Sequence, residues 1–470
     1  MLEQEFGPER FERRSVSIRR VTSVVTLGLM VVIIVLALQP DRKTLGVPVI
    51  GREIDELWVL VSASLVFFMQ AGFLMFEVGL ARKAHAGSVA IKNMIDWTVG
   101  SLAFSGVGFA LMFGSSNGYF GTSFFALDGL FDADGSTVSG PTFFLFQLAF
   151  AGTAITIVSG SLVERTTFLA YVSFSAVVGL LIYPVYGHWV WGGLFGGEEG
   201  WLAANGFRDF AGGTVVHTTG AWAALIGVIF VGPRIGRFGP SGTVRVFEAS
   251  SIPMTALGTL ILWFGWFGFN GGSSLALTLD VPRIILVTNL SGVGGLVGAA
   301  IFAYLVEDRI DLIGKMIGGA LSGLVAITPG ADVVGVIGAL AIGLVAGVIY
   351  ALGYELLLRF RIDDALGVVP AHGFAGAWGT IALAIFAPAS ALGRSNFEQF
   401  GIQVVGVLVN LAWVGSLSIV VFAFLRSMIG LRVSPERELD GVNLESDDLT
   451  MAAPAPQENL TDDELARLLE

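Results

Sequence analysis

Cysteine is absent from this chain of 470 residues, which excludes disulfide bonds, zinc–thiolate sites and iron–sulfur clusters. Charged residues are also scarce, at 14% of the chain, whereas soluble domains carry about 25%. The net charge of −12 comes largely from residues 434–470, where eleven acidic side chains accompany two arginines. The negative charge is therefore a property of the tail and says little about the substrate. We expect no cofactor, no metal and no nucleic-acid partner.

Long apolar runs dominate the rest of the chain. Apolar residues make up 54% of it, and the mean hydropathy is +0.77. The runs are about 20 residues long and lack the alternation of a β-barrel, so they predict helices that span a lipid bilayer. The sequence thus predicts an all-α polytopic membrane protein with eleven core spans near 57–80, 95–115, 142–163, 168–192, 213–232, 250–273, 284–306, 312–329, 333–356, 372–390 and 402–425.

The loops between these runs alternate between basic and acidic or neutral, as the positive-inside rule requires. The rule places the start of the first span outside the cell and the C-terminal tail in the cytosol, for a multi-pass protein of the cell membrane. Residues 1–40 combine five arginines with an apolar run, which predicts either an export signal or an additional anchor helix. We therefore expect a membrane domain over 57–430 and an acidic cytosolic tail over 431–470.

Two histidines, His217 and His372, lie within the fifth and tenth apolar runs. An ionisable side chain inside a membrane is costly and points to a functional site. If spans 1–5 and 6–10 form two halves, their odd number of helices gives the halves opposite orientation, a common plan of transporters. The two histidines then occupy matching positions, and the pattern predicts an imidazole pair that relays protons along an apolar path.

Other interpretations of the histidines remain open at this stage. Each could be a core histidine whose ring is bonded to a backbone carbonyl. A metal site is a second alternative, but transition metals usually need a third ligand, and the sequence has no HExxH motif. His85, in a predicted loop, and His188, near the end of the fourth span, are expected to be ordinary structural residues.

An acidic residue and several aromatic residues accompany the histidines. Asp209 precedes His217 by eight residues and suits a helix N-cap, a role compatible with attracting a cation. Phe146 and Phe150 share one helix face, and Trp191 ends the fourth span. Aromatic residues in membranes often face lipid. Together with the carboxylate and the histidines, they predict a cation–π site above an apolar constriction, suited to a small cation that can lose a proton.

These residues belong to motifs that resemble the family of ammonium transporters, methylammonium permeases and Rhesus proteins, on its ammonium transporter branch. The resemblance runs from about Leu57 to Ser434. The motifs that carry it are Phe67-Phe68-Met69-Gln70-Ala71-Gly72-Phe73, Phe146-Gln147-Leu148-Ala149-Phe150, Asp209-Phe210-Ala211-Gly212-Gly213-Thr214-Val215-Val216-His217, Gly265-Trp266-Phe267-Gly268-Phe269-Asn270 and His372-Gly373.

The resemblance implies a homotrimer of eleven-helix subunits with one pore in each. It also implies that ammonium binds at an outer site, loses its proton near a gate and crosses as ammonia. The residues implied for these steps are Phe146, Phe150, Trp191 and Ser273 for the outer site, Phe150 and Phe269 for the gate, Asp209 for recruitment and deprotonation, and His217 and His372 for the pore and proton relay. A PII-type signalling protein is an expected partner on the cytosolic face. The resemblance implies a transporter and not an enzyme, and the alternatives are an ammonium sensor that signals through its tail and a gas channel of the Rhesus type.

Two features depart from the family. An acidic residue often stands five positions before the second histidine, where this chain has Gly367. The tail beyond Glu445 has no familiar pattern, although a capping-box sequence at Thr461 predicts a short helix that either frays or docks on a cytosolic partner.

Overall fold

The computed structural model describes residues 47–135, 137–239, 243–306 and 312–441. The signal or anchor helix predicted within residues 1–40 and the helix predicted at Thr461 both lie outside the described residues. The chain divides between Glu53 and Ile54, and the fold below is that of the unit Ile54–Glu470.

Within the described residues the fold is all-helical, and eleven helices are long and apolar enough to span a bilayer, which confirms the predicted class. The first begins before Ile54, at Val47. The spans, named α1 to α11 in chain order, are Val47–Leu80, Lys83–Phe113, Gly140–Leu162, Phe168–Phe195, Gly213–Val231, Ile252–Gly272, Val281–Leu305, Leu312–Gly330, Val336–Arg359, Val369–Phe386 and Asn396–Met428. Shorter helices in the connections are Trp201–Ala204, Ala389–Leu392 and Pro435–Asp440.

The predicted start of α2 at residue 95 is wrong, because the span begins at Lys83. Its first turns carry polar side chains that lower the hydropathy, yet Lys92 and Asn93 among them are buried and bonded inside the protein. Lys92 donates to the backbone oxygen of Thr166 at 2.8 Å, and Asn93 donates to Glu77 at 2.9 Å. Hydropathy alone cannot separate such satisfied polar residues from a loop.

His85 shows the same error at a single residue. The hydropathy pattern predicts a loop there, but the side chain is fully buried in the first turn of α2, and its Nε2 lies 3.1 Å from the backbone oxygen of Glu438. His85 therefore contributes to packing, which agrees with the structural role expected for it.

Glycines allow α7 to pack closely between α8 and α9. A side chain at Gly323 of α8 or at Gly343 of α9 would meet the backbone oxygen of Ser291 on α7 at 2.1 Å. The Ser291 hydroxyl donates to the backbone oxygen of Gly323 at 2.7 Å. In a membrane, helices associate through such close backbone approach and not through the hydrophobic effect. These three helices are therefore packed closely against one another within the second half of the protein.

Buried ion pairs hold one end of the bundle, which we call the arginine end. Asp363, in the loop before α10, pairs with Arg234 at 2.8 Å and with Arg237 at 3.2 Å. Glu164, after α3, pairs with Arg82 at 2.6 Å and with Arg234 at 3.4 Å. Both carboxylates are fully buried. The loops that follow α1, α3, α5 and α9 are therefore connected to one another.

The first residues of the tail are attached to the arginine end. The side chain of Glu438 is buried and accepts hydrogen bonds from Arg432 at 2.9 Å and from the backbone of Ile235 at 2.7 Å. Its backbone oxygen accepts a hydrogen bond from Arg82 at 3.3 Å. The chain as far as this short helix is thus part of the packed structure.

We predict that Asp363→Asn strongly destabilises the protein. The substitution leaves the buried guanidinium of Arg237 without its ion pair and Arg234 with Glu164 alone, and breaking a buried pair costs about 3–5 kcal/mol. Asp280→Asn is the matched control, because Asp280 pairs with Arg283 at 3.5 Å on the exposed surface, where a pair contributes about 0–1 kcal/mol. Thermal unfolding of the purified protein, followed by tryptophan fluorescence, measures both; equal midpoints for the two variants would contradict the prediction.

The same carboxyl predicts a dependence of stability on pH. Burial alone would raise the pKa of Asp363, but Arg234, Arg165 and Arg237 outweigh that effect and hold the pKa below its usual range. A group with a lowered pKa stabilises the folded state above its unfolded-state value of about 4, and this contribution is lost as the pH falls. The wild-type melting temperature should therefore fall below about pH 4, and Asp363→Asn should show a smaller fall over that range.

Candidate functional site

The two histidines in the apolar runs face each other in the middle of the protein. Nδ1 of His217 lies 3.2 Å from Nδ1 of His372, and both side chains are buried. Each lies in a wider, π-helical turn at the start of its span, Gly213–Thr218 in α5 and Val369–Phe374 in α10. Such turns are rare and occur often at functional sites.

The contact between these rings fixes how their facing nitrogens share protons. A hydrogen bond needs one donor and one acceptor, so one Nδ1 carries a proton and the other does not. Nε2 of His217 is buried and has no hydrogen-bond partner. The pair can therefore exchange a proton across the contact and offers a further nitrogen to a molecule in the path.

Aromatic rings stack against His217. The ring of Trp266 lies 5.1 Å from it at 21°, and that of Phe269 lies 5.4 Å from it at 25°. The indole Nε1 of Trp266 donates to the hydroxyl of Thr328 at 2.9 Å, which fixes the orientation of the ring. The sequence motifs assign Trp266 no role; its position one helical turn before Phe269 is the signal that could have shown it.

A stacked pair of phenylalanines closes the path beside the histidines. The rings of Phe150 and Phe269 lie 3.9 Å apart at 20°, and both are buried. Two rings at this distance are in van der Waals contact, so no ion fits between them in this conformation. Phe269 also contacts His217, so the constriction adjoins the imidazole pair directly.

The structure brings all four residues predicted for the substrate site into one pocket, which we call the aromatic pocket. Phe146, Phe150, Trp191 and Ser273 line it, and it encloses about 200 Å³ including its open mouth. Trp191 Nε1 donates to the backbone oxygen of Asp209 at 2.7 Å. This bond uses the edge of the indole and leaves the faces of the ring available for other contacts. Ser273 donates to the backbone oxygen of Phe269 at 2.8 Å, so its oxygen keeps free lone pairs.

Asp209 caps α5, as its sequence position predicts. Its carboxylate accepts hydrogen bonds from the backbone amides of Gly212, Gly213, Thr214 and Val215 at 2.7–3.0 Å, and from the Thr214 hydroxyl at 2.6 Å. Both oxygens are therefore occupied by the start of the helix. Asp209 is joined to Trp191 through its backbone oxygen and is not among the residues that line the aromatic pocket.

Asp364 has the same relation to His372 that Asp209 has to His217. Each carboxylate precedes its histidine by eight residues. One oxygen of Asp364 accepts from the backbone of Val369 at 2.7 Å, and the other accepts from Ser161 at 2.8 Å. Burial raises the pKa of Asp364, and the hydrogen bonds from Val369 and Ser161 only partly oppose it. The repeated arrangement supports the interpretation of two corresponding halves.

Gly367 is a position where any side chain would be strained and crowded. Its φ is +72°, a conformation that favours glycine, and a Cβ there would lie 2.4 Å from the hydroxyl oxygen of Tyr350. The carboxylate that borders α10 is thus Asp364, three residues earlier.

The remaining histidine has an ordinary environment. The two ring nitrogens of His188 lie 2.8 Å from the backbone oxygen of Met112 and 2.8 Å from the Ser116 hydroxyl. Both are satisfied, which agrees with the structural role expected from the sequence. Among the described residues, no group of three or more potential ligands is placed to hold a metal ion.

We predict that Gly367→Ala destabilises the protein by more than the usual cost of a left-handed alanine, about 1–2 kcal/mol. The added methyl group meets Tyr350 as well as the unfavourable φ. Gly393→Ala is the matched control, since Gly393 has a similar φ of +67° and a methyl group added there would have no atom within 4 Å. Thermal melts of the two variants give the comparison; equal losses would show that Tyr350 yields without cost.

Comparison with known proteins gives the same family as the motifs. The sequence model of the Ammonium Transporter Family matches residues 57–450. Ammonium transporter Amt2 of Archaeoglobus fulgidus is 41% identical over 415 residues, which cover 83% of this chain and 86% of the relative. Ammonium transporter Amt1 of Haloferax mediterranei is 39% identical over 415 residues, covering 84% and 78%.

Solved structures share the fold. A structure described as a sensor Amt protein has a TM-score of 0.82 and 39% identity, and covers 85% of this chain and 99% of that one. Mep2 of Candida albicans has a TM-score of 0.74 and 26% identity, and covers 82% and 87%. The chain therefore belongs to the ammonium transporter family, whose members are multi-pass membrane proteins that transport ammonium and are not enzymes.

Proposed function

We propose that this protein carries ammonium selectively across the membrane, by binding the ion in the aromatic pocket and passing ammonia along the imidazole pair. The observation that carries the proposal is the continuous series of contacts from the pocket through the phenylalanine pair to the histidines. Phe150 belongs to the pocket and stacks on Phe269, which in turn contacts His217.

Ammonium is recognised in the aromatic pocket through π faces and an oxygen acceptor. Phe146, Phe150 and Trp191 offer ring faces that attract a cation, and Ser273 offers the lone pairs left free by its bond to Phe269. The carboxylate of Asp209 supports recruitment and deprotonation through its negative charge. Because its oxygens are bonded to the start of α5, it acts without taking up the proton itself.

Deprotonation takes place before the phenylalanine gate, and the proton released from ammonium passes to the unprotonated nitrogen of the imidazole pair. An ion beyond the gate would lose its water in surroundings of aromatic and aliphatic groups, at a cost of several kcal/mol. Ammonia has no charge, so it passes once Phe150 and Phe269 rotate apart. The imidazole pair then offers nitrogen acceptors and donors in place of water, and the shared proton of His217 and His372 allows proton relay.

The placement of the protein in the cell follows from its charges. We place the arginine end and the tail in the cytosol of a cell-membrane protein, with the aromatic pocket outside. The domains are a signal or anchor segment over 1–40, the membrane domain over 57–430 and the tail over 431–470. We propose a homotrimer and a PII-type partner on the cytosolic face, in line with the family.

Transport by reconstituted protein tests the proposal. We expect ammonium-evoked uptake and current in proteoliposomes, and we expect His217→Ala and His372→Ala each to change the rate by at least about tenfold or to alter selectivity, since placed proton-transfer groups contribute about 10²–10⁴-fold. Phe131→Ala, at an exposed aromatic residue away from the path, is the control. Unchanged rate and selectivity in both histidine variants would remove the pair from the mechanism.

A second candidate function is ammonium sensing, which the similarity to a solved sensor Amt protein favours. Deletion of residues 446–470 separates the two functions. A transporter keeps ammonium uptake after the deletion, whereas a sensor loses its downstream response while uptake in proteoliposomes stays intact. A full response to ammonium in cells that produce the shortened protein would count against sensing through the tail.

A further inference from the structure

A buried amide in the aromatic pocket has an unused oxygen. Gln147 lies on α3 between Phe146 and Phe150, lines the pocket, and is 2% exposed. Its Oε1 is buried and has no hydrogen-bond partner within the protein. Buried polar groups are nearly always bonded, so an unpaired acceptor on a residue that lines a pocket is available to a donor that the pocket holds.

Gln403, another buried glutamine, is bonded at both ends, whereas Oε1 of Gln399 also lacks a partner but lies outside the aromatic pocket. Oε1 of Gln403 accepts from the backbone of Arg208 at 3.0 Å, and its Nε2 donates to the backbone oxygens of Arg208 at 2.7 Å and Thr380 at 3.0 Å. Both ends of that amide serve the fold. The oxygen of Gln147 serves no such purpose, although its helix is among the most deeply buried of the bundle.

Ammonium has the donors that this oxygen lacks. The ion carries four N–H groups directed to the corners of a tetrahedron. In the part of the chain that the structure describes, the pocket lining includes two side chains with an oxygen acceptor, Ser273 and Gln147, and is otherwise made of aromatic and leucine residues. If the hydroxyl of Ser273 were the only acceptor, most N–H groups of the ammonium ion would have no acceptor once its water shell is removed.

We propose that Gln147 is a binding residue of the aromatic pocket, whose amide oxygen accepts a hydrogen bond from the bound ammonium ion. This inference rests on the proposed function, because it assigns a ligand to the same pocket. Ser273 and Gln147 bind N–H groups while Phe150 and Trp191 provide ring faces. Removal of the proton breaks the charge-assisted bonds, so the same acceptors release ammonia toward the gate more readily than they release ammonium.

Two substitutions separate the effect of the acceptor oxygen from the effect of the size of the side chain. Gln147→Met keeps a side chain of similar length without a good acceptor, and we expect it to raise the KM for ammonium by about tenfold or more, since bonds to charged groups are the stronger ones. Gln147→Glu keeps an oxygen at this position and adds a negative charge, so its KM should equal or fall below that of the wild type. Leu145→Met, at an exposed position of the same helix outside the pocket, is the matched control and should leave KM unchanged.

Initial rates of ammonium uptake into proteoliposomes, at fixed pH and equal amounts of reconstituted protein, give KM separately from the maximal rate. The inference is overturned if Gln147→Met keeps a KM within twofold of the wild type, or if Gln147→Glu is as impaired as Gln147→Met, because the effect would then come from packing. Ser273→Ala is measured in parallel. If Ser273→Ala raises the KM while Gln147→Met leaves it unchanged, the inference alone is refuted. If the wild-type protein shows no ammonium uptake, the proposed function is refuted together with the inference.

Discussion

The structure depends on the cost of leaving a polar group without a partner where water is absent. Most buried polar groups in the bundle meet that requirement within the protein: Asp209 is bonded by the start of α5, and Asp363 by Arg234 and Arg237. Two atoms that do not meet it, Nε2 of His217 and Oε1 of Gln147, belong to the residues that we place along the path of the substrate. Other buried atoms without a partner, among them Nδ1 of His85 and Oε1 of Gln399, lie elsewhere in the bundle, so a missing partner points to a ligand only where the residue also lines the pocket or the proposed path.

The correspondence between the two halves has a physical basis in helix capping. A carboxylate eight residues before each histidine binds the backbone amides at the start of a span, and the histidine follows within a π-helical turn. The hydrogen bonds between the capping carboxylate and the backbone amides hold the turn in place, and the turn fixes the direction in which the imidazole projects. Two such units from different halves meet at the centre, and their contact makes a site that neither half has alone.

The buried charges of the arginine end have a structural role in the bundle. Its ion pairs join loops that are far apart in sequence, and the first residues of the tail are bonded to the same cluster through Glu438. Buried charges are costly when unpaired, so the loops are held in one arrangement by the requirement that every guanidinium keep its carboxylate. By contrast, the lining of the aromatic pocket, among the described residues, consists of aromatic, leucine, serine and glutamine side chains without a charged group.

Local apolarity and short motifs were enough to predict the number of spans, the all-helical class, the family and the placement of two histidines within apolar spans, because each of these is recorded in neighbouring residues. The packed fold was needed to show that the imidazoles touch across 155 residues, that Asp364 and not position 367 borders α10, and that α2 begins at Lys83. It also showed the stacking of Trp266 on His217 and the unpaired oxygen of Gln147. These features depend on which side chains from different helices meet, and a hydropathy pattern records how apolar each stretch is but not what lies beside it.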